Sequence, residues 1–444
     1  MPDDRVDGLI ECAPLVVVTL IGTVRKGAFF TPDIVALPCM CLALALVSPT
    51  VLRWLRAHPA AGAAGAAGTA WWLIDAVIWD HGVDSWRMAS TWVCAGAGYA
   101  IARGYTGLRS GTAVRTMAAA AFTAIGVALS VAGLAAIAAR SHFWTWADER
   151  SLRFQGPLTY PSAIGLYLLL TLLVSTEFWP ARDDCGDRTS RLLTACRATV
   201  LLGVAATDSR GALVALVAML CFRKVRRALA PAVIAAAVAA PLVLYGQRDG
   251  VRPWLIATSL VIAIVISFVP EGLMHKAIAA LALPALGVAG WLLGTQHHAV
   301  SGFDASWTER GHILRSAVTL FTHHPILGAG PDPRIPTTTL TGLRGIDAFA
   351  HNEPLEILIS VGILGAAALT LAAAIAVRPL WRNRGALVTP VVVTLAIAGL
   401  FDFVLHFPVV GLLAGSIAGL SAKRDVGSDE HISTPRRELG SVTS

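Results

Sequence analysis

Apolar stretches of about twenty residues return along almost the whole chain, and nothing constrains its fold more. A helix rises 1.5 Å per residue, so about twenty such residues cross the hydrocarbon of a bilayer. Inside lipid every backbone N–H and C=O needs an internal partner, which leaves helices as the structure for runs of this length and composition. The runs lie near 8–24, 31–55, 60–79, 88–104, 112–138, 160–179, 192–206, 211–222, 228–246, 253–270, 276–295, 355–377, 387–402 and 404–420. The 211–222 run is short and could be re-entrant, so the pattern predicts about 12–14 spans. With 55% hydrophobic and only 14% charged residues, and a mean hydropathy of +0.66, a soluble domain with a single hidden core is excluded. The fold class is all-α, a polytopic integral membrane protein.

The charges between the runs set orientation. Asp3, Asp4 and Asp7 precede the first run and Arg25 and Lys26 follow it, the reverse of a cleaved signal peptide, so it reads as a first span. A net charge of +7 does not indicate nucleic acid, because the Arg and Lys sit in short loops. If the amino terminus is cytoplasmic, the inner loops collect Arg53, Arg56, Arg103, Arg109, Arg115, Arg182, Arg188, Arg191, the cluster Arg223, Lys224, Arg226 and Arg227, and later Arg378, Arg382 and Arg384. That is the positive-inside bias, and Arg25-Lys26 is its main exception. Three segments then face outward: 139–160, the tight turn 207–210, and 296–354, the only long polar loop. Its Trp307, Pro325, Gly328, Gly330 and Pro331 are not low-complexity, so it is expected to be ordered. The chain divides into helices over 1–295, this extracytoplasmic loop over 296–354, helices over 355–420, and a polar tail over 421–444 expected to be disordered and cytoplasmic. Gly62, Gly65 and Gly68 read as a close helix contact, and Asp75 as a paired acid inside a span. The seven cysteines show no paired CxxC and read as small buried hydrophobes.

The long outer segment ends in Ala350-His351-Asn352-Glu353-Pro354-Leu355, and Gly362-Ile363-Leu364-Gly365 follows. Pro354 suits the first turn of a helix, which puts His351 and Asn352 above the mouth of a span, where a helix N-terminus favours an anion. Either His351 is an interfacial histidine or it does chemistry. Arginines on the same side read either as interface anchors or as anion ligands.

These residues resemble the O-antigen ligase and polymerase family. His351-Asn352, then Leu355 and Gly362-x-x-Gly365, look like its signature. Arg310 followed by His324-Pro325-Ile326-Leu327-Gly328-Ala329-Gly330 is similar to the family's Arg…His-Pro-Leu-x-Gly-x-Gly, and Ser209-Arg210-Gly211 to its Ser-Arg-Gly. Arg153…Gly156…Pro161 and Asp402…His406-Phe407-Pro408 are also family-like. The resemblance covers about 150–420, with Ser162 where Asn is common, Leu314 where Trp is common and Ser360 where Glu is frequent.

The resemblance implies a GT-C-like membrane glycosyltransferase of the bacterial cytoplasmic membrane, with its active site outside. It would transfer a glycan from a polyprenyl-diphosphate carrier to a hydroxyl on a glycan, lipid or protein acceptor, with inversion. No metal and no cofactor are expected, and membrane lipid is its surround. His351, Arg310 and Arg210 are the expected catalytic residues; Arg153, Asn352, Arg315 and His324 are expected to bind substrate. Arginine holds diphosphate oxygens through a charged planar fork. Neutral imidazole can take the acceptor's proton. Ligase and polymerase share this chemistry. The competing class is a transporter or flippase of a small solute or lipid-linked sugar, which would want charges along a path at mid-membrane depth. In a background cleared of native cysteines, Arg210→Cys, Arg310→Cys and His351→Cys should each react with an impermeant thiol reagent outside intact cells. Cytoplasmic labelling of any one would break up the shared outer site.

Overall fold

The computed structural model describes residues 3–30, 33–57, 83–106, 111–148, 151–178, 187–248, 252–269, 297–330, 333–338, 344–347, 349–382 and 387–422, with isolated positions between 59 and 70. The readings for 60–79 and 276–295, including Gly62, Gly65, Gly68 and Asp75, and for the tail beyond Ala422 lie outside the described residues. In chain order the helices are α1 (Asp3–Val24), α2 (Asp33–Val47), α3 (Pro49–Ala57), α4 (Val83–Thr106) and α5 (Gly111–Ala138). There follow α6 (Pro161–Phe178), α7 (Asp187–Ala206), α8 (Arg210–Leu220), α9 (Arg223–Gly246), α10 (Pro253–Ser267), α11 (His297–His323), α12 (Glu353–Arg382), α13 (Val388–Phe401) and α14 (Pro408–Ser421).

The chain is an all-α membrane protein. Gly111–Ala138, Arg223–Gly246 and Glu353–Leu371 are long and apolar enough to cross a membrane, and seven shorter apolar helices accompany them among the described residues. The 31–55 run is not one helix: it breaks at Ser48, and α3 restarts on Pro49, which has no N–H to lose at a first turn.

Two helices form the centre. Every residue of α14 is buried, and so is nearly all of α6. A helix apolar all round has no face to give to water, so it belongs inside the bundle. α14 packs along α4, where Gly411, Gly415 and Gly419 lie against the carbonyls of Thr91, Ala95 and Tyr99 with no space for a methyl group. This small-residue stripe lets two backbones approach closely. A buried cation is also fixed here: Arg197 of α7 donates to Ser175 Oγ at 3.0 Å, to the Ser175 carbonyl and to the Ala228 carbonyl at 2.9 Å, tying α6, α7 and α9 together.

The stretch read from sequence as the long polar loop holds regular structure. It folds into α11 and a hairpin pairing Ile335–Thr338 (β3) with Arg344–Asp347 (β4). Ile313, Ala317, Leu320 and Phe321 give α11 an apolar stripe at helical spacing, and it packs with Ile335, Ala350 and Ile359 as a separate small core. A second hairpin, Thr145–Asp148 (β1) with Ser151–Phe154 (β2), lies in the 139–160 segment.

The His324–Gly330 turn is pinned to α12. Gly362 breaks that helix with φ 65° and ψ −174°, and the freed groups bond to the turn. Ile363 N–H donates to Pro325 O at 2.9 Å, Leu364 N–H to Ile326 O at 3.2 Å and Ala329 N–H to Ile359 O at 2.6 Å. A Cβ on Gly362 would strike the Ile326 carbonyl, and one on Gly328 the Ser360 carbonyl. The backbone at 362 lies in a region that only glycine occupies readily, so Gly362→Ala should cost at least about 1–3 kcal/mol. Gly311, in the middle of α11 with nothing among the described residues within 4 Å of where a Cβ would lie, is the contrast: Gly311→Ala should stabilise by about 0.5–1 kcal/mol through helix propensity. Thermal unfolding of the two variants in detergent checks this, and shifts of the same sign would show that the turn is not locked through Gly362.

Candidate active site

Asp402 organises the end of the bundle where the motif residues meet. It caps the C-terminus of α13 in extended conformation and is 2% exposed. An isolated carboxylate there would be costly, so it must be hydrogen-bonded or paired. Three segments supply partners. Tyr160, just before α6, donates its hydroxyl to both carboxylate oxygens at 2.6 Å. Ser162, in the first turn of α6, also bonds to it. His351, just before α12, places Nδ1 at 2.9 Å from Oδ1. Arg310 of α11 brings an Nη atom to 4.0 Å from Oδ2 and donates to the Phe401 carbonyl at 3.3 Å.

Burial by itself would raise the Asp402 pKa. The hydrogen bond and charge of His351, with the Tyr160 and Ser162 hydroxyls, outweigh it and hold the carboxyl below the usual carboxylate range. Tyr160 moves the other way: burial, then the charge of Asp402 and its hydrogen bond, push the phenol well above its ordinary value, so it stays a donor. The aromatic ring of Phe403 stacks on Phe349 at 4.0 Å and on Tyr160 at 4.6 Å, and meets His351 edge-on at 5.2 Å. This wall limits how the imidazole can turn.

With Nδ1 engaged by a carboxylate, Nε2 is the ring nitrogen left to accept a proton. The pattern is that of a histidine oriented by an acid. The imidazole is 25% exposed while its partner is enclosed, so the dyad is open on the histidine side. His351 has φ 53°, and Thr159 and Asp208, also beside the site, have φ 59° and 48°. Left-handed conformations in non-glycine residues cost about 1–3 kcal/mol each and persist where surrounding contacts over-determine them.

The second arginine cluster is built on the 207–210 turn. Ser209 caps α8, accepting the Ala212 N–H at 3.3 Å, and its Oγ lies 3.2 Å from Ser162 Oγ, one residue from the Asp402 network. Arg153 on β2 donates through Nε to the Thr207 carbonyl at 3.1 Å and through Nη2 to the Asp208 carbonyl at 2.8 Å. Its guanidinium therefore holds the turn that carries Arg210. Arg210 stands at the start of α8 within electrostatic reach of Arg310, Asp208 and Arg153, so the cations gather at one place although they are far apart in sequence.

Among the expected site residues, His351, Arg310, Arg210 and Arg153 come together at this end. Asn352 is there too, with both ends of its amide committed: Oδ1 accepts the Leu355 N–H at 3.0 Å, and Nδ2 donates to the Leu400 carbonyl at 2.9 Å. Arg315 and His324 are exposed and are not among the groups meeting at Asp402. Sequence reasoning noted Asp402 as a motif residue but gave it no role, and missed Tyr160. The available signal was a lone acid at the end of an apolar run, directly before the Phe403…Phe407-Pro408 segment.

Residues 196–370 match the protein-family model described as O-Antigen ligase. No curated protein matches the chain. The matched region holds Arg210, Arg310 and His351, whereas Tyr160 and Asp402 lie on either side of it. The fold, not the matched segment alone, therefore completes the cluster.

Asp402 has a folded pKa below its unfolded value, so its partners contribute stability that is present above the unfolded carboxylate range, near pH 4. That stability is lost as pH falls through the folded value. Asp402→Asn should cost about 1–3 kcal/mol at pH 7, because the donors facing it lose their charged acceptor. Thermal unfolding in detergent from pH 7 to pH 3 should show the gap between variant and wild type closing at the acidic end. A gap independent of pH would mean that Asp402 is not held as a carboxylate.

Proposed function

We propose, for a membrane chain whose residues 196–370 match the O-Antigen ligase family model, that it transfers a glycan from a polyprenyl-diphosphate carrier to an acceptor hydroxyl. The setting is cell-surface polysaccharide synthesis on the outer face of the bacterial cytoplasmic membrane. One observation carries the reading: an open histidine oriented by an enclosed carboxylate at 2.9 Å, with Arg310 at the same carboxylate and Arg210 close by.

The roles follow from charge and reach. The acceptor oxygen attacks the anomeric carbon while the bond from that carbon to the diphosphate oxygen breaks. The acceptor proton passes to Nε2 of His351, and Asp402 stabilises the imidazolium that forms. The electron pair of the broken bond leaves with the diphosphate, whose charge Arg210 and Arg310 offset. A single displacement from the opposite face inverts the anomeric centre. Arg153 and Asn352 act by holding the 207–210 turn and the start of α12. Ligase and polymerase differ only in whether the acceptor is a foreign molecule or another copy of the repeat, and the same residues serve both.

The test uses purified protein, a polyprenyl-diphosphate oligosaccharide and candidate acceptors, with release of polyprenyl diphosphate as the signal. His351→Ala should leave folding and donor binding intact and lower transfer by about 10²–10⁴-fold, the worth of a positioned general base. Arg210→Lys should lower it by about 10–10³-fold through loss of the bidentate fork. A stable His351→Ala protein that binds donor and transfers at the wild-type rate would falsify the assignment of the base.

A further inference from the structure

The turn that carries His351 is held on the α13–α14 linker at more than one point. Asn352 Nδ2 donates to the Leu400 carbonyl at 2.9 Å, and His351 Nδ1 meets Asp402 at 2.9 Å. Next in sequence, Glu353 Oε1 accepts the Leu405 N–H at 2.6 Å and lies 3.5 Å from His406 Nδ1. Three successive residues thus grip the last turn of α13 and the linker after it, with Asp402 between the outer two contacts. A single His–Asp bond leaves the imidazole free to rock about the contact. Grips on both sides of it fix distance and rotation together.

Glu353 and His406 are an unusual choice for packing alone. Both are almost wholly buried, at 2% and 3% exposure, and the second carboxylate oxygen of Glu353 is buried with no hydrogen-bond partner among the described residues. Burying such a group is unfavourable compared with an apolar side chain of similar size, so stability does not account for it. Room for it is provided: Gly399 faces the side chain, and a Cβ there would lie 3.1 Å from Glu353 Cγ. The His406 ring meets Phe349 edge-on at 5.2 Å, and Phe349 stacks on Phe403, the ring against which His351 rests. The pair therefore reaches His351 twice, through the backbone of the 351–353 turn and through the aromatic wall. The other titratable groups facing this region are Asp402, Tyr160 and Glu356, whose Oε2 accepts the Ala350 N–H at 2.6 Å.

We propose that Glu353 and His406 are positioning residues for the transfer reaction, locking the left-handed turn at His351 so that Nδ1 stays on Asp402 and Nε2 faces the acceptor. The inference rests on the reading of His351 as the base, and it assigns the pair no contact with substrate.

The test combines kinetics with a readout that does not need turnover. Glu353→Asp keeps the charge but is one methylene too short to reach the Leu405 N–H; Glu353→Gln keeps an acceptor at full reach. Glu353→Asp should lower kcat by about 10–10²-fold with donor affinity nearly unchanged, the usual effect of misplacing a reacting group by about 1 Å. Glu353→Gln should recover most of the rate. Combining Glu353→Ala with His406→Ala should cost no more than the worse single variant, as expected for residues acting as a unit. In ¹⁵N-histidine spectra, with His351 assigned through His351→Gln, the wild type should show one Nδ1–H tautomer, Glu353→Asp an averaged one and Glu353→Gln the wild-type signal. Leu413→Ala, in the buried centre of α14, serves as the control for general loss of stability and should leave the His351 signal unchanged. The proposal is overturned if Glu353→Asp keeps both kcat and the His351 signal. It is equally overturned if Glu353→Asp changes stability alone, or if Leu413→Ala shifts the His351 signal as much. If Glu353→Ala does not fold, the Asp and Gln variants decide. Should the wild type transfer no glycan while the tautomer still responds to Glu353→Asp, the transferase reading falls and the positioning of the ring stands.

Discussion

A carboxylate that is 2% exposed has to be satisfied by its neighbours, and meeting that need at Asp402 brings the functional end of this bundle together. Tyr160 and Ser162, His351, and Arg310 come from three segments that are well separated along the chain. Their common destination is one pair of oxygens. The same contacts hold the carboxyl in its charged form despite burial, and a charged Asp402 is what can orient an imidazole and stabilise it when protonated. Burial, charge and geometry are therefore a single requirement here.

The surrounding helices supply a frame stiff enough for this. α14 is buried on every side and meets α4 through glycines that leave no space between the backbones. The linker between α13 and α14 is thus anchored to the most enclosed helix of the bundle. On the other side, α12 is interrupted at Gly362, and the His324–Gly330 turn bonds into the gap. That lock ties α11, and Arg310 with it, to the helix whose start bears His351. Motif residues that look like parts of the chemistry, such as Gly328 and Gly362, are parts of the frame. Arg153 belongs to the same group, since its guanidinium is directed at the carbonyls of the turn before Arg210.

The chain itself states which residues are helical and where the apolar runs begin, because lipid admits few alternatives for such runs. It also places His351 at a helix mouth through Pro354, and it marks Arg210 and Arg310 through its resemblance to the ligase and polymerase motifs. Where periodicity was masked by polar residues, it misled. α11 reads as loop because charged and polar residues recur along it, although Ile313, Ala317, Leu320 and Phe321 form a helical stripe. The 31–55 run reads as one span because the break depends on Ser48 and Pro49, two residues in an otherwise apolar stretch.

What the sequence determined by itself was the solvent, the helices and the kinds of side chain available at their ends, all of which follow from local composition and period. Tertiary structure alone decided that Asp402 and Tyr160, 242 positions apart, share one hydrogen bond with His351 beside them. It also decided that Asn352 and Arg153 spend their polar groups on backbone carbonyls, and that Glu353 faces His406. The physical reason is that a buried polar group takes whichever partner the packing of apolar helices brings within reach, and that packing depends on the whole bundle rather than on any segment of it.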